Sequence, residues 1–192
     1  MTGSSVTDRI ARILDRLPTE DPYAWLQEAT RLHRRSHDCG AYTFTDGRLL
    51  LALARELRPS RVLELGTALG YSACCWADAG ALVDTIDRDP AHVTEARENV
   101  ARARPSGIVT PHLGGFDAVL ATLTGPYDAV FFDGYAPAAS MLSSLADRTT
   151  RPGLLVIANL SLAGTDVERA LGDIPDSEEI ALTPDTTAVV LR

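Results

Sequence analysis

The stretch Val62-Leu63-Glu64-Leu65-Gly66-Thr67-Ala68-Leu69-Gly70-Tyr71-Ser72-Ala73 decides how the rest of the chain is read. A short apolar run ends in two glycines four positions apart, and an amphipathic stretch follows. Gly66 and Gly70 permit a tight turn and close approach of the backbone to a ligand, and a helix starting here presents N–H groups with no intrahelical partner. The spacing is not the GxGxxG of dinucleotide sites. The GK[ST] ending of a phosphate loop is absent, because all 18 basic residues are arginine. Glu64 would repel a phosphate, whereas a ligand carrying an amino group and a sulfonium would welcome its charge. Taken alone, the glycines also fit a plain tight turn.

Working outward, the same alternation recurs. Strands are expected at Arg61–Leu65, Ala81–Ile86, Ile108–Leu113, Tyr127–Phe132 and Leu154–Ala158, each followed by a helical stretch. Pro90 suits a first helical turn. Such alternation means right-handed βαβ units and a mostly parallel sheet. The runs Glu179–Leu182 and Thr187–Leu191 have only the turn TPDT between them, which predicts a C-terminal antiparallel hairpin. Before the sheet, helices are expected over Val6–Leu17, Tyr23–His33 and up to Leu57, with Asp46 as N-cap of the last and Ser36–Gly47 as a loop. One domain, 1–192, is expected, with residues 1–45 as a helical extension or lid and 46–192 as the cofactor-binding core.

In an open parallel sheet the ligand sits beyond the carboxyl ends of the strands. Asp87 ends the second strand 21 residues after Gly66, close to the interval at which an acidic side chain reaches a ribose diol. The alternative is a solvated Asp87 beside a capping Asp89. Asp84, within the strand, is given no role. Gly114-Gly115-Phe116-Asp117 follows the third strand and could frame an adenine edge or simply cap a helix. Asp133, Gly134 and Tyr135 follow the fourth strand, and Asn159 follows the fifth.

With these residues placed, the chain resembles the class I S-adenosylmethionine-dependent methyltransferases, and within them the catechol O-methyltransferase-like small-molecule family. The resemblance rests on VLELGTALGYSA and runs from about Asp46 to the C-terminus. It implies a Rossmann-like, doubly wound, mostly parallel seven-stranded sheet with N-terminal helices, and S-adenosylmethionine as cofactor. Glu64, Gly66 and Gly70 would line its methionine part, with Tyr71 in the same turn and Ser72 reaching its carboxylate. Asp87 would hold the ribose, with Arg88 beside the adenine. Gly115, Phe116, Asp117 and Tyr135 would border the adenine. Asp133 would face the amino group, and the loop around Tyr42 and Thr43 would close over the methionine end.

The same resemblance exposes two departures. Relatives commonly hold a divalent cation with one aspartate after the fourth strand and an Asp-Asn pair after the fifth; here the residues are Asp133, Ala158 and Asn159. The family's lysine base falls on Ala136. A metal-independent O-methyltransferase acting on a small molecule is therefore expected, with no metal ligands assigned. His37, Tyr135 and Asn159 are the candidate base or acceptor-orienting groups, His37 being read as a loop residue. A cofactor-binding relative that has lost catalysis and serves a regulatory or structural partner is the alternative.

Composition narrows the partners. A net charge of -8 argues against nucleic acid and against an anionic membrane surface. No apolar stretch is long enough to span a membrane, and the start MTGSSVTDRI has no signal-peptide core. Cys39, Cys74 and Cys75 show no disulfide framework and no metal-ligand spacing, so a reducing cytoplasm is expected. The apolar N-terminal helices could support a homodimer.

Overall fold

The computed structural model describes residues 5–192; the first four residues of the expected N-terminal extension lie outside the described residues. Three helices, α1 (Val6–Asp15), α2 (Ala24–His37) and α3 (Gly47–Leu57), lead into β1 (Arg61–Leu65), α4 (Tyr71–Ala77) and β2 (Leu82–Asp87). Then come α5 (Pro90–Ala103), β3 (Ile108–Leu113), α6 (Phe116–Leu120), β4 (Tyr127–Phe132) and α7 (Ala139–Arg148). The chain closes with β5 (Thr149–Ile157), a short 3-10 turn at Leu160–Leu162, α8 (Thr165–Gly172), β6 (Ser177–Thr183) and β7 (Thr186–Leu191).

The strands form one seven-stranded sheet in the order β3-β2-β1-β4-β5-β7-β6. β1 pairs in parallel with β2 and β4, β2 with β3, and β4 with β5, whereas β7 lies antiparallel to both β5 and β6. The expected parallel sheet and terminal hairpin are both present. The order reverses between β1 and β4, so the connections leaving these adjacent strands run in opposite directions and a crevice opens beyond their ends.

Alternation along each strand sends side chains to two apolar layers. Val62, Phe131 and Val156 join Trp76, Leu50, Ile10 and Leu26 on one face, while Leu63, Leu65, Phe132 and Ile157 join Leu142, Leu145 and Val167 on the other. Because both faces are covered, the central strands read as nearly continuous apolar runs, which is why they were legible. Glu64 is the exception, a carboxyl within that run that is fully buried. Asp84, given no role from sequence, has one in the sheet: its carboxylate accepts from His112 Nε2 at 2.8 Å and from the Tyr127 hydroxyl at 3.1 Å, and lies 3.8 Å from the Arg61 guanidinium.

Several boundaries differ from expectation. α2 continues four residues beyond His33, through Arg34-Arg35-Ser36-His37, so His37 is helical and not a loop residue. That last turn is polar and, apart from the partly buried Arg34, exposed, so apolar periodicity cannot mark it. Asp46 stands at the N-cap of α3 but makes no side-chain capping bond. β5 begins five residues earlier than expected, at Thr149, where Pro152 and Gly153 disguise the strand. β3 is an edge strand containing Pro111, which pairs in register with Thr85. Among the described residues, no helix is long and apolar enough to cross a membrane.

Gly66 is where chain geometry leaves no alternative. Its φ is +108°, and a Cβ there would overlap the Asp133 carbonyl, so the ends of β1 and β4 can approach only with glycine at this position. Gly66→Ala should destabilise the fold by about 2–4 kcal/mol, combining backbone strain with overpacking. Urea unfolding monitored by tryptophan fluorescence checks this, and a midpoint equal to that of the parent would contradict it.

Candidate active site

The crevice is built from the turns that follow β1, β2, β4 and β5. The first turn runs from Gly66 to Gly70, the latter at φ +92° as the N-cap of α4. Ala68 between them also has positive φ, +41°. Its N–H is held by Asp87 Oδ2 at 2.9 Å, while Asp87 Oδ1 accepts from the Asp89 N–H at 2.9 Å. Asp87 thus joins the β1 and β2 turns; Oδ2 also faces His92 Nδ1 at 3.4 Å, and the lone pairs not so engaged, chiefly on Oδ1, are left for a ligand. Gly70 leaves the start of α4 without a side-chain cap, so its first N–H groups remain available to an anion.

Beneath this turn lies the most unusual electrostatic feature of the molecule. Glu64 Oε2 accepts from the Thr85 hydroxyl at 2.5 Å, and Thr85 in turn lies 2.7 Å from the Thr67 hydroxyl. Ser72 also bonds the Glu64 carboxyl. Glu64 Oε1 has no hydrogen-bond partner among the described residues, although it is buried. Burial pushes the carboxyl up to about 7, against the opposing pull of the Ser72 and Thr85 hydroxyls, and the Asp87 charge raises it further. Asp133, just beyond β4, is likewise held well above the usual carboxylate range, first by desolvation and then by Glu64. Asn159 Nδ2 donates to Asp133 Oδ1 at 3.1 Å and to the Gly134 carbonyl at 2.6 Å. Two enclosed carboxyls, the charge of one disfavouring that of the other and one with an orphaned oxygen, are chemically suited to a positively charged hydrogen-bond donor.

The other expected residues are distributed as follows. Ser72 is buried against Glu64. Tyr71 is also buried, but its hydroxyl donates to Asp21 and lies against Gly47, tying α3 and the start of α2 to α4. Only its backbone N–H, in the first turn of α4, faces the role expected of it. Arg88 is exposed. Gly115 caps α6, Phe116 packs edge-on to Phe132 with centroids 6.1 Å apart, and Asp117 is exposed in the first turn of α6. Tyr42 is exposed beneath the Arg34 guanidinium at 4.2 Å, and Thr43 is half-buried next to it. Tyr135 is 83% exposed on the turn after β4. His37, by contrast, is engaged within its own helix: Nδ1 lies 3.0 Å from the His33 carbonyl, and the ring stacks on His33 at 4.1 Å.

Three contributors were not foreseen. Thr67 and Thr85 carry the hydroxyl chain to Glu64, and His92 is buried with Nδ1 3.4 Å from Asp87 Oδ2. Thr85 precedes Asp87 by two residues on one strand, which is the only sequence signal that could have placed it on the same side. A separate concavity of about 490 Å³ flanks the edge strand β3 and shares no residue with the turns after β1, β2, β4 and β5.

The donor set after β4 and β5 does not fit a Mg²⁺ cage. It offers one carboxyl whose charged form is disfavoured by burial, and one amide whose nitrogen is already bonded to that carboxyl. Mg²⁺ demands near-octahedral oxygen ligation and usually at least one ionised carboxylate. The cofactor implied by the resemblance does fit. An α-ammonium group matches the orphaned Glu64 oxygen, a carboxylate matches the open N-terminus of α4, and a ribose diol matches the free lone pairs of Asp87.

The chain is similar in sequence and fold to known methyltransferases. Residues 63–159 match the methyltransferase domain family. The chain is 34% identical over 121 residues to a catechol O-methyltransferase of Niastella koreensis, covering 59% of this chain and 54% of the relative. It is 30% identical over 146 residues to a catechol O-methyltransferase of Mycobacterium tuberculosis, covering 73% of this chain and 64% of the relative. The chain therefore spans between half and two thirds of the length of these curated relatives. Its fold superposes on an O-methyltransferase from Bacillus cereus in complex with S-adenosylhomocysteine with a TM-score of 0.74, at 20% identity, over 94% of this chain and 96% of that one. The domain match extends across half the chain, from the buried Leu63 of β1 to Asn159 beyond β5, and the chain belongs to the methyltransferase domain family.

Proposed function

We propose that the protein transfers a methyl group from S-adenosylmethionine to an oxygen atom of a small molecule, without a divalent cation at the β4–β5 turns. The observation that carries this reading is the unpartnered, buried oxygen of Glu64 beneath the Gly66–Gly70 turn, beside the raised carboxyl of Asp133. The names of the two curated relatives support oxygen as the acceptor atom. When bound, S-adenosylmethionine supplies a sulfonium-activated methyl group for in-line displacement.

The chain's own residues do the rest by binding and orientation. Asp87 grips two vicinal hydroxyls while its other lone pairs hold the Ala68 and Asp89 N–H groups, so the gripping carboxylate is itself fixed. Glu64 and Asp133 hold the ammonium end, and Asn159 keeps Asp133 in place through its amide nitrogen. Fixing donor and nucleophile at near-contact distance can contribute about 7–11 kcal/mol to lowering such a barrier. With Ala136 in place of a lysine, proton removal from the acceptor falls to groups at the crevice mouth. Tyr135 is the exposed phenol there, and in His37 the contact of Nδ1 with the His33 carbonyl leaves Nε2 as the nitrogen that would take a proton.

Three outcomes are expected. Asp87→Ala should weaken S-adenosylhomocysteine binding by roughly 10–100-fold in isothermal titration, the loss expected for hydrogen bonds to a charged group; unchanged affinity would place the sugar elsewhere. Methyl transfer to a phenolic acceptor should not rise when Mg²⁺ is added to chelator-treated enzyme, and a Mg²⁺-dependent rate would overturn the cation-free reading. Glu64→Gln should separate stability from binding. Since folding raises the Glu64 pKa from 4.5 to about 7, the stability it contributes is complete below pH 4.5 and lost as pH rises through about 7. A shift of that size corresponds to roughly 3 kcal/mol, so ligand-free Glu64→Gln should gain on the parent by up to that amount between pH 5 and 8 while binding the cofactor less tightly. Melting curves across this range test the sign: a gap that stays flat with pH would mean the carboxyl ionises freely.

A further inference from the structure

Away from the carboxyl pair, three side chains from distant parts of the sequence converge at the seam between α2 and α5. His33 lies in the penultimate turn of α2, Cys39 just beyond its end, and His92 in the first turn of α5. One ligand atom from each lies within 4.8 Å of the other two. The His33 and His92 rings meet edge-on with centroids 5.7 Å apart, and His37 stacks on the far side of His33. His92 is only 5% exposed, and its Nε2 is buried without a hydrogen-bond partner. Its other nitrogen, Nδ1, faces Asp87 Oδ2 at 3.4 Å. A carboxylate on one imidazole nitrogen leaves the second as a lone pair and orients it, which is the usual outer support of a metal-bound histidine.

We propose that His33, Cys39 and His92 bind a zinc-class divalent ion that clasps the end of α2 to the start of α5. Two imidazoles and a thiolate suit Zn²⁺ or Co²⁺ and do not suit Mg²⁺. Tetrahedral bonds of about 2.0 Å to nitrogen and 2.3 Å to sulfur place ligand atoms roughly 3.4–3.7 Å apart, so the side chains close in by about 1 Å. Cys39 can make that movement, because it is only half-buried in the segment after α2. On binding, the Cys39 thiol releases its proton to solvent as the sulfur–metal bond forms, and the six-coordinate hydrated ion gives up five waters to reach a tetrahedral site with three protein ligands and one water. The Asp89 carboxylate, with Oδ2 3.7 Å from His92 Nε2, adds negative charge beside the ion. Cys74 and Cys75 do not compete, since burial pushes the Cys74 thiol up to about 12 and the Cys75 thiol upward as well. The site owes nothing to the methyl-transfer reading, yet through Asp87 it touches the residue assigned to the ribose.

The test uses the full chain, kept reduced and stripped of metal by a chelator that is then removed. Added Co²⁺ should bind one ion per chain and produce sulfur-to-cobalt charge-transfer absorption in the near ultraviolet, which Zn²⁺ abolishes by displacement and Mg²⁺ does not. Cys39→Ser should lose that absorption. His33→Gln and His92→Gln should each weaken Zn²⁺ binding at least tenfold in competition titration, with circular dichroism as the folding control. Should buried His92 prove intolerant of change, the exposed-side variants Cys39→Ser and His33→Gln decide the matter. Absence of thiolate absorption in the parent protein, its persistence in Cys39→Ser, or undiminished Zn²⁺ affinity in folded His33→Gln would overturn the proposal. None of these readouts depends on methyl transfer or on S-adenosylmethionine.

Discussion

A carboxyl group buried in the middle of an apolar sheet is the constraint around which this molecule is arranged. Glu64 occupies a position that, by the alternation of β1, belongs to the same layer as Val62 and Phe131. The Thr85 hydroxyl satisfies Oε2, Ser72 lies beside the carboxyl, and among the described residues Oε1 has no hydrogen-bond partner. Such an arrangement opposes folding, because desolvating a carboxylate without a partner costs more than a hydrophobic residue in its place. It makes sense as a site in which the missing partner is a ligand. Affinity then comes in part from relieving a penalty already present in the empty protein, and the charge of the ligand is specified by the group left waiting for it.

The surrounding geometry follows from the same spot. Gly66 lets the Asp133 carbonyl approach the end of β1, which brings the second carboxyl alongside the first. Asp87 crosses from β2 to hold Ala68 in its positive-φ conformation, so the acid proposed to grip the ribose and the turn above Glu64 are one mechanical unit. A change at any of these positions would therefore be felt at the others, and single substitutions there are not expected to add independently.

Much of this was legible in sequence for a physical reason. A parallel sheet covered on both faces leaves apolar runs of strand length punctuated by turn residues, and Arg61–Leu65, Ile108–Leu113 and Tyr127–Phe132 were bounded as they stand in the structure. Pro90 likewise opens α5 behind the capping Asp89. Where the pattern lacked apolar residues it failed. The polar last turn of α2 hid the helical setting of His37, and Pro152 with Gly153 hid the first half of β5. Tyr71 stands in the right turn, but its hydroxyl reaches back to Asp21, a partner fifty residues earlier that no local spacing announces. The meeting of His33, Cys39 and His92 was invisible for the same reason: cysteine spacing finds ligands on one hairpin or helix, whereas these are assembled by the packing of α2 on α5. Local periodicity encodes the scaffold, and the contacts that only the folded chain creates encode the chemistry.

Pro111 carries a last implication, for how copies of this chain can meet. It sits inside β3, the outermost strand beyond β2, where a backbone N–H would otherwise be offered to a neighbour. A proline donates nothing and its ring crowds an incoming strand, so that margin of the sheet is a poor template for extension by another polypeptide. Self-association by joining two sheets through their β3 margins into one continuous layer is thereby disfavoured. Pairing of subunits on that flank is left to side chains, among them the exposed Ile108 and Leu113 of β3 itself, rather than to shared backbone hydrogen bonds.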